Sequence, residues 1–307
     1  MGMRHGLIGL LFVAGLGVSA CAPAGVASTP SAPASSTTST GSSAPETTTQ
    51  SPTPSPSPTP TPSPTPTVDP TALVAGTNHN ERAAAHAYPA ADVQAWVKDP
   101  KLAPGKIVFL TFDDGPNDVI TPVIMDDLKA AGVGATFFIV GQNIDEAPHM
   151  LKRQIAEGHA VAMHSWTHNY KKLYPNRKAN ADRVAEEYDK TLAGIRAVLG
   201  DDFDTTAWRY PGGHMSWKNM AAADAALADR GAAWVDWNAM TGDAEPTSRR
   251  PTTAKGMISM ATSPIAEEVP VVVMLAHDTS DKKLTAQAVP AIIEAYKKAG
   301  YEFGIIS

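Results

Sequence analysis

The residues best equipped for chemistry in this chain fall in two short stretches. Asp113 and Asp114 end the apolar run Leu110–Phe112 and are followed at once by Gly115 and Pro116. Fifty residues on, His164-Ser165-Trp166-Thr167-His168 places two imidazoles four positions apart. Three of these four side chains could hold a divalent ion through nitrogen and oxygen, leaving one carboxylate over. A metal with an open position beside a free base is the equipment of a hydrolase.

Spacing limits how these groups can meet. On a regular strand residues four apart are separated by about 13 Å, at roughly 3.3 Å per residue, which is too far for one ion. A helical turn brings positions i and i+4 to within about 6 Å. His164 and His168 are therefore expected to curl into a turn or helix if they chelate. Adjacent residues on a strand diverge, so Asp113 and Asp114 cannot simply grip the same ion. At a strand end, one can ligate while the other stands across the reacting centre. Taken alone, Asp before Gly-Pro is an ordinary turn or cap residue, and a bare His-x-x-x-His is often two unrelated surface histidines. The conjunction of both pairs at strand ends is what points to a site.

The elements that must position these residues alternate in type. Short apolar β-rich runs occur at 106–112, 135–140, 159–163, 206–209, 232–237, 269–276 and 301–306. Helical patterns lie between them at 121–131, 148–157, 179–199, 215–230, 253–261 and 284–299, several closed by glycine. Continuous apolar runs rather than alternating ones predict a parallel sheet covered on both faces. The fold class is α/β, a distorted or incomplete (β/α) barrel of about seven βα units, with its polar motifs at the strand ends that form the functional face of such barrels. Val93, Trp96 and Val97 hint at a short helix docked on it.

The 307-residue chain divides into three parts. Residues 1–20 read as a leader: Arg4 and His5 precede the apolar run Gly6–Ala20, which is short for a bilayer span. Val18-Ser19-Ala20-Cys21 resembles a bacterial lipobox, in which the cysteine is diacylated and becomes the mature N-terminus; an ordinary leader cut near Ala20 is the alternative. Cys21 is the sole cysteine, so no internal disulfide can form. Residues 21–87 are expected to be a lipid-anchor cysteine and a disordered Pro/Ser/Thr tether, too poor in apolar residues to offset its ordering entropy. Residues 88–307 are the expected catalytic domain. This arrangement predicts a bacterial, extracytoplasmic protein anchored to the membrane through Cys21 and facing the cell wall. Net charge is −6 with no basic run beyond the leader, which argues against nucleic-acid binding; no protein partner is evident.

With these residues in view, the chain resembles the polysaccharide deacetylases of the NodB-homology type, carbohydrate esterase family four. Thr111–Pro116 is similar to the family's first motif and His164–His168 to its second. Arg209-Tyr210-Pro211-Gly212-Gly213 resembles the third, Asp236–Asp243 the fourth and Leu275-Ala276-His277 the fifth. The resemblance covers about residues 106–307. It implies that Asp113 is the general base and that Asp114, His164 and His168 hold a divalent ion, zinc foremost, with cobalt or another divalent ion as the alternative. It further implies that Arg209 orients Asp113 and that His277 protonates the leaving amine. The Gly212 N–H would then serve as oxyanion donor, Leu275 would line the acetyl-methyl pocket and Trp237 would floor the sugar site or pack in the core. Many relatives carry an aromatic residue where this chain has Gly212, so the open Gly-Gly could widen the pocket. The acid that pairs with His277 is left between Asp236 and Asp243.

The implied activity is removal of N-acetyl groups from N-acetylhexosamine residues of a cell-wall polysaccharide, peptidoglycan first. Chitin-type oligomers or O-acetyl groups of a xylan-type polymer are alternatives, and a non-catalytic glycan-binding lipoprotein is the alternative of a different class. Of the remaining histidines, His79, His86 and His149 are expected at the surface and His159 in packing. His214 is a candidate substrate contact.

Overall fold

A computed structural model describes residues 69–307. The expected leader, Cys21 and the Pro/Ser/Thr-rich run through residue 68 lie outside the described residues. Eighteen principal elements follow in order: β1 (Ala87–Tyr88), α1 (Ala90–Lys98), β2 (Ile107–Asp113), α2 (Thr121–Ala131), β3 (Thr136–Ile139), α3 (Pro148–Ala156), β4 (Ala160–Met163), α4 (Tyr170–Leu173), α5 (Ala181–Leu199), β5 (Ala207–Trp208), α6 (Ala221–Ala228), β6 (Ala233–Trp234), β7 (Ala239–Met240), α7 (Ala254–Ala261), α8 (Ser263–Ala266), β8 (Val271–His277), α9 (Lys283–Lys298) and β9 (Glu302–Ile306).

Every strand pairing among the described residues is parallel. β2 lies at the centre, paired with β8 along one edge and with β9 and then β3 along the other. All seven residues of β2 are buried, as expected of a parallel strand covered on both faces. Beyond β6 the sheet is interrupted, and β7 pairs with β8 in a short parallel ladder. Just before β7, the Asn238 side chain donates to the Val271 carbonyl at 2.8 Å and accepts from the Val273 N–H at 2.8 Å. This is the distorted barrel anticipated from the apolar runs, with β1 and β7 as further strands of two residues each.

Alternation along β2 and β8 sorts the core into two parts. Val108, Leu110 and Phe112, with Val272, Met274 and Ala276, pack outward under the helices. Ile107 and Phe109, with Val271 and Val273, point inward and fill the barrel floor together with Phe138, Ala162, Ala207 and Val235. Helix α1 joins this inner cluster through Ala90 and Val93, with Trp96 and Val97 against it, so the docked helix expected around Val93 is present.

The folded unit begins before the expected boundary at residue 88. Asn78 donates from its side chain to the Ile306 carbonyl at 3.0 Å, and Asn80 to the Ile155 carbonyl at 2.7 Å. Both asparagines are buried, so residues 69–87 belong with the barrel rather than with a tether. The physical reason is that a polar strap can be held by side-chain bonds to the backbone, which an apolar-run reading overlooks. His79 is likewise buried, its Nδ1 2.9 Å from the Asn80 carbonyl, and not at the surface. His86 and His149 are exposed, and His159 is packed against Phe137.

Candidate active site

The inward alternation that fills the floor with Ile107 and Phe109 carries on to Thr111 and Asp113. On β8 it carries on to Leu275 and His277. Asp113 and His277 are register partners across the β2–β8 pair, which puts a carboxylate and an imidazole side by side at the barrel mouth. Asp114 then departs from strand geometry with φ +78°, a conformation costing about 1–3 kcal/mol in a non-glycine residue. This turn allows both adjacent carboxylates to serve one centre. It is held by the Asn143 side chain, which donates to the Asp114 carbonyl at 2.8 Å.

His164 follows β4 directly, and the chain turns through Ser165 at φ +71° and His168 at φ +51°. The two imidazoles therefore meet across a turn, their ring centres 5.0 Å apart. Glu187, on α5, braces that turn. Its buried carboxylate accepts from Trp166 N at 3.1 Å, Thr167 N at 2.9 Å and Thr167 Oγ1 at 2.6 Å, and it also pairs with Arg183 at 2.7 Å.

Ligand atoms of Asp114, His164 and His168 lie within 4.8 Å of one another. Asp114 Oδ1 is 3.6 Å from His164 Nε2 and 3.3 Å from His168 Nε2, too long for good hydrogen bonds. That oxygen is buried without a partner. A tetrahedral centre with ligands at about 2.0–2.1 Å has edges of about 3.4 Å, so the donor set suits a divalent ion. His164 Nδ1 lies 2.8 Å from the Arg209 carbonyl, which fixes the tautomer with Nε2 free to ligate. Burial, with His168 second, holds the His164 pKa well below its ordinary value, so the ring is neutral.

Asp113 is buried beside this triad, its Oδ2 3.6 Å from His164 Nε2. Arg209, wholly buried just past β5, donates from Nη1 to Asp113 Oδ1 at 2.8 Å and to Thr111 Oγ1 at 2.7 Å. Its guanidinium lies 4.0 Å from the centre of the Phe138 ring. Burial raises the Asp113 pKa to about 6 against the pull of Arg209 and His277. Across the mouth, His277 Nδ1 is 2.8 Å from Asp243 Oδ1, while Asp243 Oδ2 accepts from the His277 N–H at 2.9 Å and from Thr285 Oγ1 at 2.8 Å. Burial opposes charge on His277, but the hydrogen bond and charge of Asp243, aided by Asp114 and Asp113, outweigh it and raise its pKa to about 9.

Between the two candidates for the acid beside His277, the geometry selects Asp243. Asp236 turns elsewhere: its oxygens accept from His214 N at 2.9 Å and Met215 N at 3.2 Å, closing the turn after Gly213. Its place one residue after inward-facing Val235 explains why it does not share the interior with His277. His214 is likewise committed away from the cleft, stacked on Trp234 at 3.8 Å and paired with Asp224 at 3.0 Å.

The cleft formed by these residues has a volume of about 240 Å³, and its lining includes Gly212, Trp237 and Leu275 as well as the ligands, Asp113, Asp243 and His277. Trp237 lines the cleft and also packs on the inner core. Sequence reasoning missed Tyr170 and Glu245 on the cleft wall. It also missed the buried Asp278, which accepts from Thr121 Oγ1 at 2.6 Å. A Cβ on Gly115 would lie 2.3 Å from Asp278 Oδ2, so the glycine after the two aspartates is needed for this close approach. Tyr170, two residues past a metal-ligand candidate and aromatic, carried the only readable signal of these.

An Asp-His-His triad with the geometry to hold a metal, a buried carboxylate and an imidazole–carboxylate pair at the mouth of a parallel barrel fit a metal-dependent hydrolytic centre. Comparison with known proteins narrows the class. The family model described as polysaccharide deacetylase matches residues 101–228. A peptidoglycan-N-acetylglucosamine deacetylase of Bacillus cereus is 34% identical over 206 residues, covering 64% of this chain and 68% of the relative. One from Listeria monocytogenes is 30% identical over 66% of this chain, which spans 39% of that protein's length. Among solved structures, a Streptococcus mutans CE4 esterase superposes with a TM-score of 0.74 at 44% identity, covering 78% of this chain and all of that one. This chain belongs to the polysaccharide deacetylase family.

Proposed function

We propose that this protein removes N-acetyl groups from N-acetylhexosamine residues of a cell-wall polysaccharide, with peptidoglycan as the substrate. The observation that carries the reading is the convergence of a metal triad, a base and an acid pair on one cleft. The names of its relatives in Bacillus cereus and Listeria monocytogenes support the choice of polymer.

Asp114, His164 and His168 would hold the divalent ion, and their borderline N/O chemistry favours zinc. When bound there, such an ion polarises an acyl carbonyl and acidifies water. Asp113 accepts the proton of the attacking water, and its pKa near 6 suits a base working at neutral pH. Arg209 keeps Asp113 Oδ1 engaged, so Oδ2 is the oxygen available for that proton. The Gly212 N–H donates to the acyl oxygen as it gains charge. His277, held protonated by Asp243, delivers a proton to the departing nitrogen. Leu275 offers an apolar wall to the acetyl methyl.

The localisation follows from the leader and the lipobox-like Val18–Cys21: a diacylated Cys21 and a Pro/Ser/Thr spacer would hold the barrel outside the membrane within reach of the wall. Cys21→Ala should move the protein from the detergent phase to the aqueous phase in a phase-partition assay. Acetate release from peptidoglycan, chitin oligomers and acetylated xylan, before and after chelation and zinc return, tests the activity. Glycan binding without acetate release by the zinc-loaded protein would overturn it.

A further inference from the structure

The wall of the cleft beside Gly212 is built from two aromatic residues that lie outside the motif containing that glycine. Gly212 has φ +77°, and a Cβ there would lie 3.2 Å from Trp217 Cζ2, 3.3 Å from the Tyr170 hydroxyl and 3.5 Å from Trp217 Nε1. The space a side chain at position 212 would take is therefore already filled. Of the two polar atoms beside Gly212, one is committed: Trp217 Nε1 donates to the Pro211 carbonyl at 2.8 Å. The other, the Tyr170 hydroxyl, has no hydrogen-bond partner among the described residues. The Gly212 N–H is also without an acceptor among the described residues.

Tyr170 is held firmly for a residue that is 44% exposed. Its ring stands 5.1 Å from that of His168 on one side and 5.2 Å, edge on, from that of Trp217 on the other. Trp217 is itself stacked on Tyr174 at 4.0 Å and 12°. Through the Trp217–Pro211 bond this aromatic stack is fastened to the loop that carries Gly212, so both unpaired donors ride on one rigid assembly. A core role does not explain a phenol here, because phenylalanine would make the same ring contacts and leave no polar atom facing the cleft.

Building on the deacetylase reading, we infer that the Tyr170 hydroxyl is a second donor to the acyl oxygen, acting beside the Gly212 N–H. It is then a catalytic residue contributed by α4. Both donors border the cleft beside Asp113, Asp114, the two imidazoles and His277, where a developing oxyanion gains from each preorganised donor that reaches it.

Tyr170→Phe separates this role from ring packing, and two substrates separate it from sugar binding: an N-acetylglucosamine oligomer, and 4-nitrophenyl acetate, which has no sugar. In the zinc-loaded protein kcat should fall about 100-fold on both, with KM within about twofold. Acetate binding, measured by calorimetry, should weaken about tenfold. Zinc content and the melting temperature should match wild type. A loss confined to the oligomer and seen as raised KM would make Tyr170 a sugar contact and overturn the inference. Wild-type rates in the Phe variant would do the same while leaving the deacetylase reading intact. A wild-type protein inactive on both substrates would take down the reading and the inference together.

Discussion

Two aspartates at the barrel mouth make an instructive pair. Asp113 and Asp243 are both buried, and each is paired directly with one cationic side chain, Arg209 or His277. Their acidities nevertheless move in opposite directions. Burial lifts Asp113 to about 6 despite Arg209. For Asp243 burial pushes the same way but is outweighed, and the pKa ends below its ordinary value. The difference lies in the donors. Asp243 accepts from the His277 ring, the His277 N–H and Thr285 Oγ1. Asp113 accepts one bond, from Arg209 Nη1, a group that also serves Thr111, and has Asp114 next door. A neighbouring cation alone does not keep a buried carboxylate firmly ionised; several hydrogen bonds do. The outcome suits the two proposed tasks, since a base must be able to take a proton and the partner of an acid must not.

Four substitutions would break or sharpen this contrast. Asp113→Asn removes the proton acceptor without touching the ligand triad. Acetate release should fall about 1,000-fold, with zinc content unchanged by metal analysis; loss of zinc would show that Asp113 is a ligand instead. Next in size, Asp243→Asn should lower the His277 pKa, followed by NMR in the metal-free protein, from about 9 toward the ordinary histidine value of about 6.5. Because pairing raises the folded-state pKa, its contribution to stability is complete below pH 6.5 and disappears as pH rises through about 9. Thermal melts between pH 6 and 10 should show that slope in wild type and not in the variant. Glu187→Gln leaves both imidazoles in place but weakens the brace on their turn, and zinc affinity by competitive chelation should drop about tenfold. The smallest change is expected of Thr285→Val, which deletes one of three donors to Asp243. Its His277 pKa should fall by less than half the Asp243→Asn effect, and an equal fall would mean the hydroxyl rather than the carboxylate charge sets the imidazole.

The sequence was most legible where residue type alone fixes the answer. Continuous apolar runs marked the positions of seven strands, β2 to β6, β8 and β9, and the parity of Ile107, Phe109, Thr111 and Asp113 was already implicit in one of them. What stayed hidden depends on backbone torsion or on side chains standing in for backbone. The left-handed turn at Asp114 unites two carboxylates that strand geometry would separate, and nothing in an Asp-Asp pair announces it. Asp236 and Asp243 were indistinguishable because the strand that registers Asp243 against β8 is only two residues long, Ala239–Met240, with the Asn238 side chain extending its pairing. The strap at residues 69–87 is held by Asn78 and Asn80, residues that composition assigns to loops. Glu187, twenty residues beyond Thr167, looked like one more charge on an amphipathic helix.

The packed floor has a consequence for traffic through the site. Below Thr111 and Arg209 the interior is filled by Ile107, Phe109, Val271 and Val273, with α1 seated beneath. The interior is thus closed from below. A glycan lying across the mouth would cover the cleft, so under the proposed reaction acetate has to leave past or after the trimmed sugar. The packed floor thereby makes the mouth serve both substrate entry and product exit.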